Sequence, residues 1–270
     1  MLPHNKNARI IAGVVLAVAA LTIAVFGIRD AVEWRNRARL FAAIRPVRLK
    51  NCVMKRYGHP HDGGYVMCAN LLGQVESAYS YGIDGRDEWA CDVVRQTGVA
   101  AHQYDCFDPR RPVCDGARFL FHDECVGGAY EVKDKRVFDT VSHQIAKNGD
   151  SAKRLVVKMD VEGSEWDALP AVSDEELGRI DQLLLEFHHT EEPRFLGVLE
   201  KLKKTFYVVN VHFNNHSCST DDHPFPAWAF EVLFVNKRIG VIDEADPSPP
   251  GPNPLDTPNK ADLRDCQASW

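Results

Sequence analysis

Short apolar runs alternate with helix-like stretches along most of this chain, and that alternation leaves few folds open to it. Ala78–Ile83 precedes an amphipathic stretch at Trp89–Thr97; Ala101–Phe107 and Arg118–His122 precede Val137–Ala146; Leu155–Met159 and Leu183–Phe187 precede Phe195–Lys204. Each such element has one apolar face to bury, and the alternation predicts a mostly parallel sheet with helices on both faces. The last two runs, Phe206–Phe213 and Trp228–Asn236, have no helix between them and predict a closing antiparallel pair. The fold class is α/β, and 270 residues suit one large domain better than two small ones.

Ligands of an open α/β sheet bind beyond the carboxyl ends of its strands, so the functional residues are sought there. The first run leads into Gly82-Ile83-Asp84-Gly85, where glycine lets the backbone approach a ligand without a Cβ in the way, although a plain turn explains two glycines as well. The second ends at Asp108-Pro109. A carboxylate there can accept from two ribose hydroxyls, or it simply opens an Asp-Pro turn. The fourth leads into Lys158–Leu169, KMDVEGSEWDAL, with four acids: Asp160, Glu162, Glu165 and Asp167. Gly163 bends the chain and Ser164 can cap a helix beginning at Glu165, whose acids Glu165 and Asp167 suit the positive end of its dipole. Asp160 and Glu162 have no such role. Their alternate spacing sends both to one side of an extended strand, for chemistry or for an ion pair with Lys158 on the same face.

The fifth run carries Glu186 and His188 at the same spacing. A histidine titrates near neutrality and can take a proton from a hydroxyl or bind a metal. Two further stretches, HDGGYVMC at His61–Cys68 and VHFNNHS at Val211–Ser217, read either as turns or as site lining; the second places His212, Asn214, Asn215 and His216 at a strand end.

The flanks differ in character. Residues 10–28 are uncharged, and roughly 19 helical residues span about 30 Å, the thickness of a bilayer core, so 1–28 reads as a single-pass transmembrane anchor. A cleaved signal peptide is the other reading. Residues 29–50 read as a juxtamembrane helix and linker that Pro46 ends, with the folded domain starting near Leu49 and covering 51–243. Arg29, Arg35, Arg37, Arg39, Arg45 and Arg48 follow the span, whereas Lys6 and Arg9 precede it, which places the domain in the cytoplasm. Eight cysteines, an even count without a CxxC pair, permit disulfides and a lumenal or extracytoplasmic domain instead. The 244–270 tail, with Pro247, Pro249, Pro250, Pro252 and Pro254, reads as an extended, loosely ordered arm. A net charge of −6 argues against a nucleic-acid surface.

The block KMDVEGSEWDAL resembles the KxDxEGxExxxL block of the FkbM-like methyltransferases. DGGYV, YSYGI, FDP, LLLEFHH, VHFNN and FEVLFVNKR follow the related, membrane-anchored methyltransferase-like group in order, over roughly 51–241. The resemblance implies a Rossmann-like class I methyltransferase with a seven-stranded sheet and an antiparallel last strand. It implies S-adenosylmethionine as cofactor and oxygen as the acceptor atom. It puts Asp62 and Gly63 of the glycine turn, with Tyr81 and Gly82, at the cofactor, Asp108 at its ribose, and Asp160 and Glu162 at the site floor. The expected catalytic residues are Asp160, Glu162 and His188, with no metal assigned and a small-molecule, lipid or glycan acceptor. A catalytically silent nucleotide- or partner-binding domain is the rival. A glycosyltransferase lacks a DxD motif to hold its metal.

Overall fold

The computed structural model describes residues 31–266, 268 and 270. The candidate transmembrane segment lies outside them, and among the described residues no helix is long and apolar enough to cross a membrane. A helix over 31–43, α1, leads into a hairpin of β1 (Met54–Gly58) and β2 (Gly64–Cys68). The main body follows in order: β3 (Ser77–Tyr81), α2 (Glu88–Thr97), β4 (Ala100–Tyr104) and β5 (Phe119–His122). After a small three-stranded sheet of β6 (Cys125–Val126), β7 (Glu131–Lys133) and β8 (Arg136–Asp139) come α3 (Val141–Lys147), β9 (Leu155–Asp160), α4 (Glu165–Ala171) and α5 (Asp174–Arg179). The chain closes with β10 (Ile180–His188), α6 (Arg194–Thr205), β11 (Phe206–Phe213) and β12 (Ala229–Asn236).

Seven strands form one sheet in the order β11-β12-β10-β9-β3-β4-β5, with β12 antiparallel to both neighbours and the pairs from β10 to β5 parallel. This is the mixed α/β sheet, with an antiparallel last strand, that the sequence led us to expect. Chain order reverses direction beside β3 and β9, so the crevice for a ligand opens above their carboxyl ends.

Alternation along each strand sorts side chains between two apolar layers. Val157, Met159, Leu183, Leu185 and Phe187 pack with α3 to α6 and with Leu40 and Ile44 at the end of α1. Val156 and Leu184 pack on the other face with α2 and the β1–β2 hairpin. Lys158, Asp160, Glu186 and His188 continue this second register beyond the apolar part, so four polar side chains emerge together at one end of that face.

Three expectations change. Val137–Ala146 is not one helix: Val137 and Phe138 pair within the small sheet, and α3 starts only after Thr140, whose hydroxyl accepts from the His143 N–H at 3.2 Å. The folded body begins before Leu49, because Leu40 and Ile44 are buried and Phe41 stacks on Trp270 at 4.7 Å. The arm, though extended, is held far more tightly than its composition suggests. Cys266 is disulfide-bonded to Cys218, and 257–260 bond the 60–62 turn through Asp62 N–H to Asn259 O at 3.3 Å and His61 Nδ1 to Pro258 O at 2.8 Å. All eight cysteines are paired, as Cys52–Cys68, Cys91–Cys114, Cys106–Cys125 and Cys218–Cys266.

Candidate active site

The KMDVEGSEWDAL block builds the floor of the site. β9 ends at Asp160, and the chain then turns through Glu162 and Gly163 at φ of 54° and 101°. A non-glycine residue in the left-handed region costs of order 1–3 kcal/mol, and the strain here holds an exposed carboxylate over the crevice. Trp166 pins the following helix: its ring lies between Phe187 at 4.2 Å and Phe195 at 4.0 Å, and its indole N–H donates to His188 O at 2.6 Å.

Glu165 is not the dipole acid that its position suggested. It is fully buried; it accepts from the Gly163 N–H at 2.9 Å and the His188 N–H at 2.7 Å, and its Oε1 lies 3.3 Å from His188 Nδ1. Ser164 makes no side-chain cap: its own backbone is helical, at φ −70° and ψ −15°, and the Asp167 and Ala168 N–H groups bond its carbonyl oxygen. His188 is thereby fixed with Nε2 toward Glu162, at 3.4 Å, and Glu186, at 3.9 Å. Burial pulls its pKa down, but the hydrogen bond and charge of Glu165, with Asp160 and Glu162, outweigh burial and hold it above the ordinary histidine value.

Asp160 accepts from Tyr65 Oη at 3.0 Å and lies 3.6 Å from Lys158 Nζ. The ion pair considered from sequence exists, yet Lys158 is chiefly a clamp: buried, it donates to Gly82 O at 2.5 Å and fastens the loop after β3 to β9. Gly82, at φ 70°, is the glycine this arrangement requires, because a Cβ there would lie 1.6 Å from Asp160 O. Asp105 bolts the same loop to the next, accepting from Ile83 and Asp84 N–H with one oxygen and from Phe107 and Asp108 N–H with the other.

Two cavities meet here. The first, about 530 Å³, lies over the ends of β3, β4 and β9, a volume within the usual range of roughly 300–1,000 Å³ for small-molecule sites. Tyr81, Gly82 and Phe107 line it together with the acids Asp84, Asp105, Asp108 and Glu124, and among the described residues no Lys, Arg or His does. The buried Tyr81 hydroxyl has no partner among the described residues. Asp108 is held by Arg110, whose hydrogen bonds lower its pKa to about 2 and keep it charged. The second cavity, about 520 Å³, is lined by Glu186, His188, Asn214, Trp228 and Asn259 among others, and it shares Asp62, Asp160 and Glu162 with the first. Of the expected cofactor residues, Asp62, Tyr81, Gly82, Asp108 and Asp160 therefore line the first cavity, while Gly63 borders only a smaller recess of about 90 Å³.

Buried behind the second cavity, Glu186 is pushed well above the usual carboxylate range by burial and by the neighbouring Asp160 and Glu231, although Asn214 donates to it at 2.7 Å. His212 sits between Glu231, at 3.2 Å, and Asp265, at 3.1 Å; burial opposes its charge, but those carboxylates raise its pKa to about 11. His212 and Asn215 thus serve structure, whereas Asn214 and His216 reach the second cavity. Trp228 and the arm residue Asn259 carried no motif in the sequence, and Glu231 lay in the FEVLFVNKR match without an assigned role. Asp160, Glu162 and His188 also place one ligand atom each within 4.8 Å of one another, a spacing that could hold a cation.

No family model matches this chain, and no curated protein matches it. Two solved structures are similar at a TM-score of 0.34 each. The fibrillarin pre-rRNA processing protein of Methanococcus jannaschii is 9% identical over 70% of this chain and 84% of that one. A Listeria monocytogenes protein described as an S-adenosylmethionine dependent methyltransferase is 8% identical over 62% of this chain and 92% of that one. At that distance neither bears on activity.

Proposed function

We propose that this chain is an S-adenosylmethionine-dependent methyltransferase acting on a hydroxyl oxygen and anchored to a membrane by its N-terminal segment. The observation that carries the reading is the pair of cavities meeting at Asp160 and Glu162, one lined by acids without a basic side chain among the described residues, the other holding a carboxylate-backed histidine. A cavity of that sign suits a ligand with an ammonium and a sulfonium, and it opposes the phosphates of a nucleotide, which weakens the silent nucleotide-binding alternative. The lining fits the cofactor: Asp108 would accept from the ribose hydroxyls, and the unpartnered Tyr81 hydroxyl offers a hydrogen bond. When bound, S-adenosylmethionine supplies an electrophilic methyl, which passes to the acceptor oxygen while sulfur keeps the bonding pair.

The protein's own part is to align the acceptor hydroxyl and remove its proton. Glu165 accepts from Nδ1–H of His188 and so leaves the Nε2 lone pair facing the shared wall of the cavities. The imidazolium formed is then stabilised by Glu165 and Glu162.

The test is calorimetry of the full chain with S-adenosylmethionine and its demethylated product. Binding is expected, weakened about tenfold in Asp108→Ala through loss of charged hydrogen bonds to ribose. Absence of binding by either ligand at millimolar concentration would return the chain to the silent-domain reading. Transfer that survives dialysis against EDTA keeps His188 as base; loss restored by a divalent ion makes it a ligand.

A further inference from the structure

We propose that the acceptor is a neutral carbohydrate, bound as a pyranose ring in the second cavity against Trp228, with its hydroxyls on Asp62, Glu186 and Asn259. This rests on the methyl-transfer reading above and names the substrate class of the same site.

The wall of that cavity is built to bind hydroxyls. Asn259 is 7% exposed, and its amide nitrogen lies between Glu231 Oε1 at 2.8 Å and Asp62 Oδ1 at 3.2 Å. Two carboxylates fix the amide's orientation, because only its NH₂ can donate to them. Its Oδ1 is then left buried with no partner among the described residues, an acceptor that an O–H donor would satisfy. Glu186, whose Oε1 accepts from Asn214 Nδ2 at 2.7 Å, lines the same wall with Asp62, Asp160 and Asn214, so several side-chain polar groups converge where the vicinal hydroxyls of a sugar would lie. An alkyl chain or a plain aromatic acceptor would leave these groups unpaired.

Trp228 supplies the apolar counterpart. It is 37% exposed where the cavity opens, and it stacks on His189 at 5.8 Å with 17° between the rings. His189 holds φ of 71°, a left-handed conformation that an ordinary strand end does not need, and its backbone N–H donates to Trp228 O at 2.8 Å. The indole is positioned to meet the C–H face of a ring whose hydroxyl edge points inward. Asp62, Asp160 and Glu162 on the same wall as Lys260 disfavour a phosphorylated, sulfated or uronic acceptor.

The experiment uses the full chain, purified oxidised in detergent, with methyl α-mannoside, methyl β-galactoside, methyl α-fucoside and methyl β-N-acetylglucosaminide, and with catechol and dodecanol as non-sugar acceptors. Saturation-transfer NMR without cofactor reads binding; labelled S-adenosylmethionine reads transfer. At least one glycoside is expected to bind and to be methylated, with KM raised about tenfold or more in Trp228→Ala and Asn259→Leu, less in Trp228→Phe, and kcat changed by less than about threefold. Methylation of catechol or dodecanol without any glycoside turnover overturns the carbohydrate proposal and leaves the methyltransferase standing. Failure to bind S-adenosylmethionine ends the enzymatic reading; glycoside saturation abolished by Trp228→Ala then still supports the sugar site, and its absence for all four glycosides overturns it.

Discussion

Glu165 and Asp160 separate two ways in which one acidic block contributes. Asp160 lines both cavities, so Asp160→Asn, which keeps shape and removes charge, is expected to leave thermal stability nearly unchanged while slowing methyl transfer at least about tenfold, a barrier rise of roughly 1.4 kcal/mol. Full turnover in that variant under saturating substrate would show the acid to be structural. Glu165 acts through His188 and is a positioning residue, so its replacement should move the pH profile. The base works only when neutral, and its pKa lies above the ordinary histidine value of about 6.5, so the rate rises with pH through a midpoint on the alkaline side of that value. Glu165→Gln removes a group that raises the pKa, so the midpoint should shift to lower pH while the plateau rate falls. An unmoved midpoint would mean that His188 is not the base. The stability that charged His188 contributes is fully present below about 6.5 and is lost as pH rises through its elevated folded value, so the alkaline arm of activity runs against stability.

Among the elements, the C-terminal arm decides whether the second cavity exists. Asn259 and Lys260 line it, Asp265 pairs with His212, and Asn215 Nδ2 donates to Lys260 O at 2.9 Å and Leu263 O at 3.1 Å. The Cys218–Cys266 disulfide closes a separation of 48 residues around these contacts. Replacing both cysteines by serine is expected to cost about 2–4 kcal/mol of stability and to raise the KM for the acceptor, while changing cofactor affinity much less, because among the described residues the arm bonds the first cavity's lining only through Asp62. Equal losses at both ligands would show that the arm supports the whole fold rather than one site. Chemical denaturation with parallel calorimetry measures both quantities.

For the whole molecule, four disulfides and the arginine asymmetry point to opposite sides of a membrane. We favour the lumenal or extracytoplasmic side, because thiols are kept reduced in the cytosol, and a fold that pairs all eight cysteines suits an oxidising compartment. In sealed vesicles the domain is expected to resist added protease until detergent is present, and to react with a maleimide reagent only after reduction. Digestion in intact vesicles would restore the cytoplasmic placement. The full chain should also stay with the membrane pellet through alkaline carbonate extraction.

Apolar periodicity alone located β9, β11 and the end of β12 to within a residue, because β9 and β12 are buried almost throughout and even the edge strand β11 has no fully exposed residue to break its pattern. It also placed Asp160 and His188 at the ends of their strands, since alternate spacing is a local property, whereas Glu162 reaches the site from a left-handed turn after β9 has ended and not from the extended strand its spacing suggested. Glu165 was misread because a helix-start acid looks the same in sequence whether it faces solvent or, as here, folds back onto the next strand's histidine across 23 residues. Asn259 was invisible for a related reason. The arm has no periodicity of its own, and only closure onto the 60–62 turn, with the disulfide at Cys266, brings its amide between Asp62 and Glu231. Strand content and the acid block follow from residues near in sequence, whereas the second cavity depends on contacts nearly 200 residues apart, which tertiary packing alone creates.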